Sequence, residues 1–190
     1  MKNIIAGIDE SGRGSLIGPV YASAVILRKK INKKIIKDSK KLSKKKREKL
    51  EKYIKKNSYW AIGSASKKEI EELNILNASL LAMKRAVKKL KVKPNLVLVD
   101  GNKTPVLRNY NLKYVIKGDE KVPEISAASI IAKVTRDKMI KRISKQFQKY
   151  NWGDNAGYGT KFHLRMIKKY GVTIHHRKTF SPIYNILRQK

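Results

Sequence analysis

The 190-residue chain contains no cysteine, which removes disulfides, thiolate metal sites and Cys nucleophiles from consideration. Its three histidines are too few for a dense imidazole set around zinc. Long hydrophobic runs are also missing. The longest, Val20 to Leu27, stops far short of the ~20 residues that a bilayer crossing needs. The apolar stretch Asn3–Ile8 is too short for a signal-peptide core and runs into Asp9 and Glu10. These absences predict a soluble, cytoplasmic protein with no membrane partner. No repeat with a period of roughly 20–50 residues occurs, which excludes solenoids and propellers.

Acid is the other scarcity. Fourteen Asp and Glu stand against 46 Lys and Arg, giving a formal net charge of +32. Surface cations in such excess displace counterions from phosphates, so nucleic acid is the expected partner. The alternative is a lysine-favouring composition with a merely solvated surface. Charge alone says nothing about chemistry. At 41% hydrophobic residues the chain still has the material for a core, and its length fits one domain.

The β-branched runs Asn3–Ile8, Val20–Leu27 and Trp60–Ala65 predict three strands, with Gly12, Gly14, Gly18 and Pro19 turning the chain between the first two. Leu50, Tyr53 and Ile54 keep helical spacing behind Ser43, a candidate N-cap. Ser66 and Glu69 have capping-box spacing, and Leu76, Leu80, Met83, Val87 and Leu90 continue an amphipathic helix that Pro94 closes. Leu96–Val99 and Tyr114–Ile116 read as further strands, Ile125 to Ile143 as a helix, and Phe162–Tyr170 as another. Three adjacent strands with short links favour an antiparallel meander, and strand–helix–strand units favour parallel additions. The expectation is an α/β fold: a mixed five-stranded sheet flanked by helices, one domain over 1–190 with a helical C-terminal part at about 145–190.

With acids so few, their placement carries information. Asp9 and Glu10 are expected to end the first strand, Asp100 the fourth, and Asp119 to follow the fifth. Carboxylates gathered at strand ends repel one another unless a cation lies between them. Carboxylate and water ligands suit Mg²⁺ or Mn²⁺, and two such ions are a standard device for attack of water on a phosphodiester. The plainer alternative for any single one is a turn residue capping a loop. Neighbours in a strand point to opposite faces, so the backbone is expected to leave strand geometry at Glu10 if both acids serve one site. The loop Gly12-Arg13-Gly14 adds a recogniser beside them, since glycines let backbone N–H groups approach a ribose or phosphate and Arg13 adds a charged fork.

These residues together resemble the ribonuclease HII family. The opening block is Gly7-Ile8-Asp9-Glu10-Ser11-Gly12-Arg13-Gly14, continuing through Gly18-Pro19-Val20. Further blocks are Asp38-Ser39-Lys40-Lys41-Leu42, Asn74-Ile75-Leu76-Asn77-Ala78, Val99-Asp100-Gly101-Asn102, and Gly118-Asp119 with Ala127 to Asp137. Gly157-Tyr158-Gly159-Thr160 and His176-Arg177-Lys178-Thr179-Phe180 complete the series, in the family's order over nearly the whole chain.

The resemblance implies an RNase H-like fold and hydrolysis of RNA in RNA–DNA hybrids. It also implies cutting on the 5′ side of a single ribonucleotide embedded in duplex DNA, with 3′-hydroxyl and 5′-phosphate products. Asp9, Glu10, Asp100 and Asp119 then correspond to the four metal-binding catalytic acids, and the cofactors are two Mg²⁺ or Mn²⁺ ions. Gly12, Arg13 and Gly14 would contact the ribose 2′-hydroxyl, and Tyr158 would stack on the sugar of the following deoxynucleotide. Lys40, Ser129 and Lys133 would hold backbone phosphates. Asp137, mid-helix beside Arg136, reads as a structural ion-pair member, and His176 as structural. Ser15 stands where the family usually has proline, and Ser11 where alanine is common; both bear on the recognition loop rather than on the chemistry.

The sister family, ribonuclease HIII, carries an extra N-terminal domain, for which the early position of Asp9 leaves no expected room. Some relatives end in a sliding-clamp peptide with paired aromatics; Pro182–Lys190 has none, so no clamp contact through the tail is expected. A monomer is expected. Two alternatives stay open: a non-enzymatic basic nucleic-acid-binding protein, and a different nuclease, such as a junction resolvase, on the same fold.

Overall fold

Alternation along the central strands decides which face of the sheet each residue serves. The computed structural model describes residues 4–37 and 42–188. In β1 (Ile5–Ser11), Ala6 and Ile8 are fully buried on one face, while Gly7 and Asp9 point to the other. β1 pairs antiparallel with β2 (Val20–Leu27), and β2 pairs antiparallel with β3 (Ser58–Ala65). β4 (Leu96–Asp100) joins β1 in parallel, and β5 (Leu112–Val115) joins β4 in parallel. The sheet order is β3-β2-β1-β4-β5, a mixed five-stranded sheet as expected. The link from β2 to β3 is longer than a hairpin turn, for it carries α1 (Lys33–Lys37) and α2 (Lys44–Lys56). Ser43 caps α2 as its position predicts, its side chain accepting from Lys46 N–H.

Each face has its own helix. α3 (Lys67–Lys88) covers Ala6, Ile8, Val20, Ala22, Ala24 and Val97 with Ile70, Ala78, Ala82 and Met83. Its capping box is formed, Ser66 accepting from Glu69 N–H and Glu69 reaching back to Ser66 N–H. The helix is not continuous, however. Asn74 has φ 65° and ψ 166°, and its Oδ1 accepts from Leu76 N–H and Asn77 N–H, capping a second segment after the break.

The opposite face receives α5 (Pro123–Ser144), entered through the short α4 (Gly118–Lys121). Ala127, Ala128 and Ile131 pack there with Val25, Leu50 and Ile54. The small residues of α5 bring it close to β1. At Gly7 a Cβ would overlap the backbone of Glu124 and Ile125, so only glycine admits this helix at this depth. That approach sets where the middle of α5 lies relative to Asp9.

After α5 the chain forms a 3-10 turn (Gln148–Tyr150), α6 (Trp152–Asn155), α7 (Lys161–Tyr170) and α8 (Ser181–Arg188). They enclose a separate cluster with Leu16, Ile17, Tyr150, Trp152, Ile167 and Ile183 at its centre. No helix among the described residues is long and apolar enough to cross a membrane.

Candidate active site

β1 does not end at Asp9. Strand pairing continues through Glu10, opposite Ala22, to Ser11, opposite Tyr21, so the expected departure from strand geometry at Glu10 does not occur. The two acids nonetheless act on one another electrostatically, and Asp9 Oδ1 accepts from Glu10 N–H at 2.7 Å. Asp9 is only 6% exposed on the α5 side, where the Ser129 hydroxyl hydrogen-bonds its carboxyl.

Burial pushes the Asp9 carboxyl well above the usual carboxylate range, and the neighbouring charges of Glu10 and Asp100 push it the same way. Glu10 is raised too, again chiefly by burial, with Arg13 opposing that shift. Arg13 Nη1 donates to Glu10 Oε1 at 3.2 Å. Asp100 ends β4 beside β1, as expected, and its Oδ1 accepts from Gly118 N–H at 2.7 Å. Asp119 is the next residue, in the first turn of α4. The sheet therefore brings Asp9, Glu10 and Asp100 within electrostatic reach of one another, and the Gly118 hydrogen bond ties the Asp119 turn to Asp100.

These acids supply only oxygen donors, and the buried, mutually repelling pair of Asp9 and Glu10 is the kind of set that a hard divalent cation relieves. The residues fit such an ion by donor chemistry. Among the described residues, no group of three His, Asp or Glu side chains is already drawn together tightly enough to hold one.

A cavity of about 270 Å³ opens directly against Glu10. Ser11, Gly12, Arg13, Gly14, Ser129, Lys133 and Tyr158 line the rest of it. Six of the residues singled out as substrate contacts thus surround one opening. Lys40, the seventh, lies outside the described residues. Ser129 lines the cavity and also hydrogen-bonds the Asp9 carboxyl. Lys133 forms an ion pair with Asp137 at 3.6 Å.

Two arginines that the sequence showed only as members of motif blocks shape this cavity. Arg136 and Arg177 are both fully buried. Arg177 Nη1 donates to Arg13 O and its Nε to Gly18 O, both at 2.9 Å. Arg136 Nη2 donates to Ala156 O at 2.9 Å, and its guanidinium lies 5.4 Å from the centre of the Tyr158 ring. Gly12, at φ 100°, lies so close to Arg136 Nε that a Cβ would overlap it. Burial pulls Arg177 down to about 9, with the neighbouring Arg136 charge adding to it. Both cations hold loop carbonyls that no helix or strand could satisfy.

A mixed sheet in this order, with acids on its adjacent parallel strands and a cavity opening at their ends, has the architecture of the RNase H-like fold. Comparison with known proteins agrees. Residues 6–182 match the Ribonuclease HII family. A ribonuclease HII of Pelagibacter ubique is 70% identical over 184 residues, covering 97% of this chain and 99% of that protein. The ribonuclease H2 of Pyrococcus horikoshii superposes with a TM-score of 0.80 at 28% identity, covering 97% of each chain. The RNase HII of Archaeoglobus fulgidus, solved in complex with PCNA, gives 0.78 at 27% identity, covering 94% of this chain and 95% of that one.

The chain belongs to the ribonuclease HII family. It is accordingly a divalent-metal-dependent ribonuclease H, a hydrolase acting on RNA–DNA hybrids.

Proposed function

We propose that residues 1–190 act as one catalytic unit that cuts on the 5′ side of a single ribonucleotide embedded in duplex DNA, as well as within longer hybrids. The supporting observation is the 270 Å³ cavity, which sets Gly12, Arg13, Gly14 and Tyr158 around Glu10. In this reading Gly12 to Gly14 present backbone groups to the ribose 2′-hydroxyl, the group that tells RNA from DNA. Tyr158 stacks on the next sugar, and Lys133, with Ser129 at the cavity wall, steers the phosphate.

Asp9, Glu10, Asp100 and Asp119 would hold two Mg²⁺ or Mn²⁺ ions, which supply activation of water and stabilisation of the leaving oxygen. The protein's own contribution is positional. Ser129 and Glu10 N–H fix the Asp9 carboxyl, Gly118 N–H fixes that of Asp100, and Arg13 restrains Glu10 until substrate enters. The +32 charge supports long-range attraction of the duplex. Excision of misincorporated ribonucleotides and removal of RNA primers are the roles this activity suits.

The test is a DNA duplex with one internal ribonucleotide, incubated with Mg²⁺ and then with EDTA. One cut on the ribonucleotide's 5′ side, leaving a 3′-hydroxyl and abolished by EDTA, is expected. Tight binding without cleavage in Mg²⁺ or Mn²⁺ would instead support a basic binding protein.

A further inference from the structure

The two loops assigned to substrate reading come from opposite ends of the chain, and one small side chain joins them. Ser15 is fully buried. Its hydroxyl points at Gly157 O (3.1 Å), Ile17 O (3.2 Å) and Ala156 O (3.4 Å), and accepts from Ile17 N–H at 3.4 Å. One hydroxyl proton is thus shared among three carbonyls, two of them immediately before Tyr158. The backbone completes the join. Ser15 and Tyr158 form an isolated antiparallel bridge, and Leu16 N–H donates to Gly157 O at 2.9 Å. On the other side, Ser15 N–H donates to Gly12 O at 3.4 Å, so the same residue closes the Gly12–Gly14 turn.

Tyr158 is held from its far side as well. His163 Nδ1 contacts Tyr158 O at 2.9 Å, and Thr160 N–H donates to the same oxygen at 2.8 Å. With that side fixed to α7, the Ser15 contacts set the distance between the tyrosine and the glycine–arginine–glycine loop.

We propose that Ser15 is a positioning residue for substrate discrimination: its hydroxyl clasps the Tyr158 loop to the Gly12–Gly14 turn, so that a ribose and the sugar after it are read as one unit. The proposal rests on the reading of Tyr158 as the junction sensor. A long hybrid offers riboses at every step and depends little on that spacing. A lone ribonucleotide offers one register and depends on it fully.

The experiment measures cleavage of a lone-ribonucleotide duplex and of a long hybrid by wild type, Ser15→Ala, Tyr158→Ala and the double variant. Each preparation's two rates are taken as a ratio, which the folded fraction does not change. Loss of one shared hydrogen bond should lower the ratio about fivefold in Ser15→Ala. Little further drop should follow in the double variant, since the two residues act through one contact. An unchanged ratio in Ser15→Ala, with a lowered one in Tyr158→Ala, overturns the clasp while leaving the Tyr158 reading intact. Independent, additive losses also overturn it. An unchanged ratio in Tyr158→Ala overturns the junction reading itself, and the clasp with it. If Ser15→Ala abolishes both activities so that no ratio can be taken, amide exchange at Leu16 decides: faster exchange supports the clasp and unchanged exchange overturns it.

Discussion

Two of the regions that bury ionisable side chains treat them in opposite ways. Around Asp9, Glu10 and Asp100 the acids face one another, and burial plus mutual repulsion raises Asp9 and Glu10 above the usual carboxylate range. In the C-terminal cluster, His163 and His176 are equally buried but fully partnered. Trp152 Nε1–H donates to His163 Nε2 at 2.8 Å, and His163 Nδ1 contacts Tyr158 O, which can only accept, so Nδ1 carries the proton. Thr173 N–H donates to His176 Nδ1 at 2.9 Å, leaving the His176 Nε2–H to face His163 Nε2 at 3.3 Å. Both rings are neutral and every ring nitrogen has a partner. A buried polar group with all partners supplied is structural; one whose neighbours repel it awaits something else.

The sharpest way to break that contrast is to neutralise one acid. Asp100→Asn keeps an oxygen for Gly118 N–H but removes a charge beside Asp9 and Glu10. Cleavage is expected to fall by on the order of 10³-fold, the scale of losing a principal electrostatic contact. The melting temperature in EDTA should stay level or rise, because repulsion is relieved. A clear fall in melting temperature would place Asp100 with the structural groups.

Gly7→Ala tests the packing that sets α5 against β1. Its Cβ would overlap the Glu124 backbone, and a loss of about 3 kcal/mol is expected by denaturant unfolding, as for a severely overpacked core. On the histidine side, Trp152→Phe keeps the ring and removes the donor to His163. A loss of about 1–3 kcal/mol is expected, with the lone-ribonucleotide and hybrid rates falling together.

The smallest effect is in pH. His176 is pulled from 6.5 to about 3, mainly by burial, with His163 and His175 adding to it. The unfolded chain therefore takes up a proton that the folded one refuses. This contribution to stability is full above about pH 6.5 and is lost as pH falls toward about 3. Glu69, lowered from 4.5 to about 2 chiefly by Arg85, loses its contribution only between about pH 4.5 and about 2. From pH 7 to pH 5 the raised Asp9 and Glu10 carboxyls act in the opposite direction, so the histidine contribution is read as a difference: the melting temperature of His176→Phe should fall less, or rise more, than that of wild type.

Much of the fold was legible because apolar alternation and β-branched runs report burial directly. The five strands, the antiparallel run of the first three, the parallel addition of β4 and β5 and the capping box at Ser66 all follow from such local signals; the order of the strands in the sheet does not. The end of β1 was not legible, since Asp9-Glu10-Ser11 lacks apolar alternation and is held as strand only by pairing with β2. The break at Asn74 was hidden for the opposite reason: Leu76 to Leu90 keep helical spacing regardless of what precedes them. The acids stood out by scarcity in a chain of net charge +32. Ser15 stood out only as a departure from the family's proline and Arg177 only within a motif block; what each holds was hidden, because their partners lie 142 and 164 residues away in the chain.

The central claim is that Asp9, Glu10, Asp100 and Asp119 form a site for divalent cations, and metal-dependent stabilisation tests it most directly. Melting temperature is measured against Mn²⁺ concentration for wild type and Asp100→Asn. An ion that binds only the folded protein stabilises it by mass action. Wild type should show a saturable rise, and Asp100→Asn, folded and at least as stable in EDTA, should show little or none. The same rise in both proteins would contradict the account and move the metal away from these acids.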